Sequence, residues 1–500
     1  MFKNLYNTHK KTEGNAMSQK ISKILIANRG EIALRIIRAC KELEITSVVI
    51  HSKVDSEGPW VKKADKSVLL EGHPVEVYLD YENIIKIAKE LKCTAIHPGY
   101  GFLSESADFA RACHKNGIIF IGPKAEHIEL FGDKITSKNA MKEIGVPVLE
   151  GTTTPITDKK EAQKISQEIG FPVIIKAAFG GGGRGMRVVR EAKEFDALFD
   201  AATNEAKKYF GNGDVFIEKF VSDPRHIEIQ VIADKFGNVV HLGERDCSIQ
   251  RRHQKVIEIA PSPSLNHTVR KELYRIAIRA MNRLGYENVG TIEFLLDEKD
   301  NIYFIEMNTR LQVEHPVTEI ITGVDIVQRM IQIAEGDKLH FLQEEISFRG
   351  YAIEFRINAE DPLNNFMPSF GTIEEYLTPG GPGVRLDTSV YGGYSMPTNY
   401  DSMIGKLIVW ALDWEGVVKK AKRALDEYYI EGLTTNIPLH KEVVRDKSFQ
   451  EGKFNTGFLD TRVEQFALIN TIAPTKDKSI SSFFSKLMQK GLTSKEGEFI

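Results

Sequence analysis

Two segments near the middle of the 500-residue chain carry a glutamate where an apolar strand would not want one. Residues 290–296 read Gly-Thr-Ile-Glu-Phe-Leu-Leu and residues 301–308 read Asn-Ile-Tyr-Phe-Ile-Glu-Met-Asn, with a polar turn, Asp297-Glu298-Lys299-Asp300, between them. The pattern predicts a β-hairpin. Glu293 and Glu306 then sit on facing strands, where burial is costly and mutual repulsion raises that cost unless a cation lies between them. The second strand is expected to continue, so that Glu306, Asn308, Arg310, Gln312 and Glu314, two residues apart, form one polar row. Glu293, Glu306 and Asn308 could hold divalent cations, Arg310 could meet an anion, and Glu314 could act as a base. Those are the parts of a phosphoryl-transfer site.

The elements that must position this row are readable around it. Alternating strands and helices over residues 21–121 predict a parallel α/β unit. Its strands are expected at 21–27, 48–50, 93–96 and 118–121, and its helices at 31–43 and 84–91. Asn28-Arg29-Gly30 lacks the remaining glycines of a dinucleotide fingerprint, so no dinucleotide site is expected there. A helix is expected at 136–144; Ala140-Met141-Lys142 within it is read as a solvated helix face, not a biotin attachment site. Residues 149–220 read as a small α+β lobe with strands at 172–178, 186–189 and 215–220. Between the first two lies Gly180-Gly181-Gly182-Gly183-Arg184-Gly185. Lys176 precedes these glycines instead of following them, so this is not a P-loop. The run, flanked by Lys176 and Arg184, can still lay backbone N–H groups over phosphates and move as a flap.

An alternating strand at 226–233 and another at 239–242 begin a larger antiparallel sheet, and residues 244–255, dense in charge, are read as lying between two apolar strands. That segment lacks aromatic platforms for nucleic acid and suits small anions better. A helix is expected at 269–284, another at 320–334 interrupted at Gly323, and a strand at 351–358 with Glu354 and Arg356 on one face. Further strands are read at 371–376 and 403–411, and a helix at 417–429.

Composition sets the outer bounds. At 42% hydrophobic and 27% charged, with a net charge of −3, the chain is an ordinary globular one with no global basic field for nucleic acid. No window is apolar enough for a membrane span. Cys40, Cys93, Cys113 and Cys247 match no metal-ligand spacing and read as reduced thiols of a cytoplasmic protein. Residues 1–20 read as a disordered leader and 466–500 as a flexible tail.

Six stretches taken together resemble the biotin carboxylases, the ATP-grasp component of biotin-dependent carboxylases, over residues of about 21–465. They are Ile26-Ala27-Asn28-Arg29-Gly30-Glu31-Ile32-Ala33, His97-Pro98-Gly99-Tyr100-Gly101-Phe102-Leu103-Ser104-Glu105, the glycine loop, and residues 244–255, 306–316 and 356–361. The resemblance implies an N-terminal parallel α/β domain at 21–133 and an ATP-grasp domain at 134–350 whose glycine-rich lid lobe spans about 149–220. It implies an antiparallel α+β C-terminal domain at 351–465. It implies ATP with Mg²⁺ or Mn²⁺ as cofactors, bicarbonate, and biotin on a separate carrier protein.

For the site residues, the resemblance implies that Lys134, Lys176 and the Gly181, Gly182, Gly183 loop take the nucleotide phosphates. Glu218, Lys219, His226, Gln250 and His253 would surround the rest of the nucleotide. Glu293, Glu306 and Asn308 would carry the metal. Lys255, Arg310, Gln312 and Val313 would surround bicarbonate with Glu314 as base, while Arg356 would stabilise the deprotonated ureido oxygen of biotin and Tyr100 would line its pocket. Arg35 would lie at a homodimer interface, and a carboxyltransferase subunit would complete the enzyme, acetyl-CoA being the favoured final acceptor ahead of pyruvate or another acyl-CoA. The rivals are another ATP-grasp ligase indifferent to biotin and a catalytically silent ATP-binding subunit.

Overall fold

The computed structural model describes residues 20–152, 154–177, 186–211, 213–463 and 465–466. The leader up to residue 19, the glycine loop with Gly181, Gly182 and Gly183, and the tail beyond residue 466 lie outside them. No described helix is long and apolar enough to cross a membrane.

The N-terminal strands β1 (Lys23–Ile26), β2 (Thr46–Ser52), β3 (Lys66–Leu70), β4 (Ala95–His97) and β5 (Ile119–Phe120) form a parallel sheet in the order β3-β2-β1-β4-β5. The edge strand β3, mostly exposed, escapes the hydrophobic pattern. At the carboxyl ends of β1 and β4, Asn28 ties two loops together: its Nδ2 donates to the carbonyls of Pro98 (2.7 Å) and Tyr100 (2.8 Å). Gly99 is required there, since it has φ +66° and a Cβ would meet Asn28 Nδ2 at 2.8 Å.

A lobe follows. β6 (Val173–Ala177), β7 (Arg187–Val189) and β8 (Val215–Lys219) make an antiparallel sheet in the order β7-β6-β8, backed by helices Lys159–Ile169 and Phe195–Phe210 around Val173, Ile175, Phe195, Phe199 and Ile217. Helix Lys134–Glu143, with Lys142 on its exposed side, leads into it.

The largest element is an eight-stranded antiparallel sheet. It contains β9 (Arg225–Ala233), β10 (Val239–Arg251), β11 (Gln254–Ala260), β12 (Asn288–Leu296), β13 (Ile302–Asn308) and β14 (Tyr351–Asn358). Past the short pairs of β15 (Glu360–Asp361) with β16 (Met367–Pro368) and β17 (Tyr376–Leu377) with β20 (Tyr429–Ile430), β18 (Val384–Thr388) and β19 (Met403–Ala411) complete it. The order is β13-β12-β9-β10-β11-β14-β19-β18, so the sheet runs without a break from residues before 350 to residues after it.

Three expectations need correction. Residues 244–251 and 254–255 do not lie between strands but belong to β10 and β11, with Arg252 and His253 as the turn joining them, and most are buried. Their buried charges are paired: Arg245 and Lys255 with Glu228 in the sheet, Glu244 with Arg270 of the helix His267–Leu284, and Asp246 with the hydroxyls of Ser248 and Ser262. The strand read at 371–376 is reduced to β17 and an isolated bridge from Thr372 to Ser395, with exposed residues giving little reason to pair. The strand carrying Glu306 ends at Asn308, and residues 309–314 form a turn into helix His315–Thr322. The interruption at Gly323 is real; it takes φ +72° as the C-cap of that helix before helix Ile326–Glu335 begins.

Candidate active site

The β12–β13 hairpin pairs Glu293 directly with Glu306, and the register shifts by a bulge immediately after Glu293. Glu293 is buried, and its carboxylate is met by Asn308 Nδ2 (2.8 Å), Lys255 Nζ (2.8 Å) and His226 Nε2 (2.7 Å). Burial alone would raise this carboxyl, but Lys255 and His226 outweigh it and hold it below its usual range. Glu306 is treated differently. Among the described residues no hydrogen bond or ion pair reaches its carboxylate, and burial with Glu293 alongside pushes its pKa up. Two facing carboxylates, one of them unpaired, fit a hard divalent cation bound through oxygen. Asn308 fits less directly, because its Oδ1 already accepts from Arg310 Nη2 at 2.8 Å.

The row 310–314 converges on the hairpin by turning, not by extending. Arg310 also donates to Gln312 Oε1 (2.9 Å) and, from Nε, to Glu105 Oε2 (2.8 Å). Glu314 is fully buried; its two oxygens take Lys255 Nζ at 2.6 Å and Arg356 Nη2 at 2.9 Å. Burial works against its charge, yet Lys255, Arg356 and Arg245 together keep it ionised, well below the ordinary carboxylate range. Lys255, from β11, touches a third carboxylate as well, Glu228 at 2.5 Å. Arg356, from β14, reaches the site, held from behind by Glu258 Oε1 at 2.6 Å from its Nε. Val313 offers its carbonyl to Lys406 Nζ at 2.9 Å.

A cavity of about 550 Å³ joins these groups. Its walls include Tyr100, His226, His253, Lys255, Glu293, Glu306, Asn308, Arg310, Gln312, Val313, Glu314 and Arg356. Gln250 stands beside it, its Nε2 3.4 Å from His226 Nδ1. A narrower cleft of about 50 Å³ opens between this sheet and the lobe, walled by Lys134, Lys138, Lys176, Glu218 and Phe216. Glu306 lines both. In the cleft Glu218 bonds Lys176 (2.6 Å) and Lys138 (2.9 Å). Lys219 is turned to the carbonyls of Gly170 and Phe171, at 2.8 and 3.2 Å, and is not among the residues walling the cleft. Arg35 is buried away from the cavity, paired to Glu319 (2.8 Å) and Asp325 (2.7 Å). The four cysteines are free and buried, and Cys247 lies beside Glu228 and Glu314.

Sequence reasoning missed Lys138, Glu228, Arg245, Glu258 and Lys406. Arg245, fully buried on β10, donates to Glu228, to Gln230 Oε1 (2.8 Å), to Thr318 Oγ1 (3.0 Å) and to Thr291 Oγ1 (3.2 Å). Glu228, Glu258 and Lys406 each stand between apolar residues of a strand, the same signal that exposed Glu293. Glu354, on the face of Arg356 as expected, is paired in register with Glu258. Burial pushes its carboxyl well above the usual range, and neither of its oxygens has a partner.

Comparison with known proteins agrees with this geometry. Residues 20–128 match the family "Biotin carboxylase, N-terminal domain", residues 133–342 "Carbamoyl-phosphate synthase L chain, ATP binding domain" and residues 354–461 "Biotin carboxylase C-terminal domain". The chain is 52% identical to a 2-oxoglutarate carboxylase small subunit of Hydrogenobacter thermophilus, covering 89% of this chain and 94% of that one. It is 51% identical to a biotin carboxylase of Nostoc sp., covering 88% and 99%. A crystal structure of the biotin carboxylase domain dimer of the Hydrogenobacter enzyme, with MgADP, ADP and bicarbonate, superposes with a TM-score of 0.87 at 51% identity over 90% of this chain and 99% of that one. The resemblance read from the sequence is thereby borne out: the chain belongs to the biotin carboxylase family and is an ATP-dependent ligase.

Proposed function

We propose that this chain carboxylates N1′ of biotin on a separate carrier protein, consuming ATP and bicarbonate through carboxyphosphate. The observation that supports it most is Glu314: a buried carboxylate, kept ionised, with Lys255 on one oxygen and Arg356 on the other. Bicarbonate becomes a competent nucleophile when its remaining proton is removed. Glu314 takes that proton, and Lys255 with Arg310 makes the resulting dianion less costly. Glu293 and Glu306 would hold Mg²⁺ or Mn²⁺, with Asn308 beside them; the ion, when bound, supplies neutralisation of phosphate charge. Lys134 and Lys176 face the nucleotide cleft and neutralise the transferring phosphoryl, while Lys138 holds Glu218. Carboxyphosphate breaks down to CO₂ and phosphate. The phosphate takes the N1′ proton, Arg356 holds the developing ureido oxyanion, and the nitrogen attacks CO₂. The lobe closes over the cleft to exclude water. Small-angle scattering that showed no compaction with ATP would count against that closure.

The partners are a biotin carrier, a carboxyltransferase subunit and, as in the Hydrogenobacter dimer, a second copy of the chain; the compartment is the cytoplasm. Acceptor chemistry belongs to the carboxyltransferase. The relative named for 2-oxoglutarate puts that acid beside acetyl-CoA, propionyl-CoA and pyruvate as an acceptor. The test is steady-state ATP hydrolysis with Mg²⁺, adding bicarbonate and free biotin separately and together. A rate that requires bicarbonate and rises with biotin is expected. A rate indifferent to biotin and to its carrier would point to a sibling ligase, and no turnover at all to a silent subunit.

A further inference from the structure

The turn that carries Arg310, Gln312 and Glu314 has no glycine or proline to fix its shape: residues 309–313 read Thr-Arg-Leu-Gln-Val. Such a segment takes its conformation from whatever holds it. Its start is tied to the N-terminal domain, where Glu105 Oε1 accepts from the Thr309 N–H at 3.3 Å, and Leu311 is buried in a core shared with the helix Gly30–Glu42. Its end is held by its carbonyls. That of Gln312 accepts from His315 Nδ1 at 2.7 Å, and that of Val313 from Lys406 Nζ at 2.9 Å. A peptide group is planar, so a pinned carbonyl fixes the plane it belongs to. Two consecutive planes fixed from behind set the directions in which the Gln312 and Glu314 side chains leave the turn.

Both donors act on the turn from outside the cavity. His315 and Lys406 are fully buried, and neither is among the residues walling the catalytic cavity. Lys406 stands on β19 opposite Arg356. Burial works against its charge, but Glu31 at 3.2 Å, Glu354 and Asp387 outweigh it, so the bond to Val313 is charge-assisted. In His315 burial, with Lys406, Arg35 and Arg385 adding to it, holds the imidazole well below its usual range. A neutral ring facing a carbonyl carries its hydrogen on Nδ1. Its Nε2 has no partner, so among the described residues the Gln312 carbonyl takes the ring's one hydrogen bond.

We propose that Lys406 and His315 are positioning residues for the bicarbonate step: they hold the turn in the shape that aims Gln312 and Glu314 at bicarbonate, without touching it. The proposal rests on the function proposed above and adds two residues to it.

The chain and its variants are assayed for bicarbonate-dependent ATP hydrolysis, with ATP affinity read by equilibrium binding and folding by urea denaturation. Lys406→Met removes the donor and keeps an apolar stem. The kcat/KM for bicarbonate should fall about 10²-fold, the cost of a misplacement of about 1 Å, with ATP affinity unmoved. Loss of a buried cation by itself weakens anion binding, and His315, being neutral, separates position from charge. His315→Leu removes the donor and should lower kcat/KM for bicarbonate about tenfold. His315→Asn returns an amide N–H close to where Nδ1 stood and should recover most of that loss. A packing role gives the reverse order, since leucine suits a buried site better than asparagine does. Higher activity with leucine than with asparagine, or a bicarbonate kcat/KM unmoved in Lys406→Met, overturns the proposal. Where the variants give no cooperative urea transition, a crystal structure of the unaltered chain with bicarbonate decides. Both carbonyls still held by His315 and Lys406 supports the proposal, and release of either overturns it. An unaltered chain that hydrolyses no ATP with bicarbonate would instead remove the function proposed above, an outcome read before any variant is compared.

Discussion

The centre of the eight-stranded sheet and the three-stranded lobe both hold buried charge, but they hold it differently. In the sheet, Lys255 alone touches Glu228, Glu293 and Glu314, and Arg245 donates to Glu228 and three neutral acceptors. Nearly all these partners stand on strands of one sheet or on the turn and helix following β13. In the lobe, Glu218 of β8 has one partner on the neighbouring strand, Lys176, and one outside the lobe's sheet, Lys138 of helix Lys134–Glu143. The sheet's network can be parted only by opening the sheet. The lobe's can be parted by letting go of one lysine. A site that must be rigid where bonds change and movable where nucleotide enters is served by that division.

The comparison is broken most directly at Glu314. Glu314→Gln should lower bicarbonate-dependent turnover by about 10²–10⁴-fold while leaving ATP affinity, read by equilibrium binding, unmoved; retained turnover would mean that the proton is taken elsewhere. Arg245→Met strips the sheet's buried guanidinium and leaves Glu228 facing Lys255 alone. Removing one partner of such a pair costs about 3–5 kcal/mol, to be read by urea denaturation, and a loss no larger than that of a surface change would show that the network is not what holds the sheet. Lys138→Ala releases the clip without touching the sheet. The KM for ATP should rise about tenfold with kcat little changed, the cost of one partly buried charge-assisted bond; an equal fall in kcat would place Lys138 in the chemical step.

The smallest effects are in acid, where Glu218 of the lobe and Glu258 of the sheet should respond with opposite sign. Burial would raise Glu218, but Lys176 and Lys138 outweigh it and bring the carboxyl from 4.5 to about 2. Its contribution is complete above pH 4.5 and is lost as pH falls towards 2. Burial pushes Glu258 from 4.5 up to about 7, with Arg356 pulling down and Glu314 pushing up. The folded state then holds a proton that the unfolded state has lost, so this contribution is complete below pH 4.5 and declines as pH rises to 7. Hydrogen exchange followed by peptide should show β6–β8 loosening on acidification. Glu258→Gln should flatten the slope of stability between those two pH values, and an unchanged slope would assign the proton to another group.

The hairpin was legible because one glutamate in each apolar strand marks facing positions, and a pair of like charges asks for a cation. The polar row beyond Asn308 was legible as a set of residues but not as a shape. Alternate residues of an extended chain and residues of a tight turn can point to one place, and nothing in Thr309-Arg310-Leu311-Gln312-Val313 separates the two. Residues 244–251 failed for the opposite reason: a count of charges says solvent, whereas Arg245 is buried on partners from β9, β12 and the helix after β13, distant in sequence. Lys138 could not be found at all from spacing, since its meaning comes from Glu218, eighty residues on. The short edge strand β3 and the reduced strand at 371–376 show the limit of local pattern where little is buried.

The pairing of β14 onto β11, Ile257 with Phe355 through Ala260 with Ala352, bears on how such chains diversify. A recombination joint at residue 350 looks harmless in the sequence, yet it divides one sheet between two ancestries and separates Arg356 from Glu258 and Glu314. Exchange of the C-terminal region between relatives with different acceptors would have to re-match a strand seam as well as a surface. Descent as a single inherited block is the arrangement this seam favours.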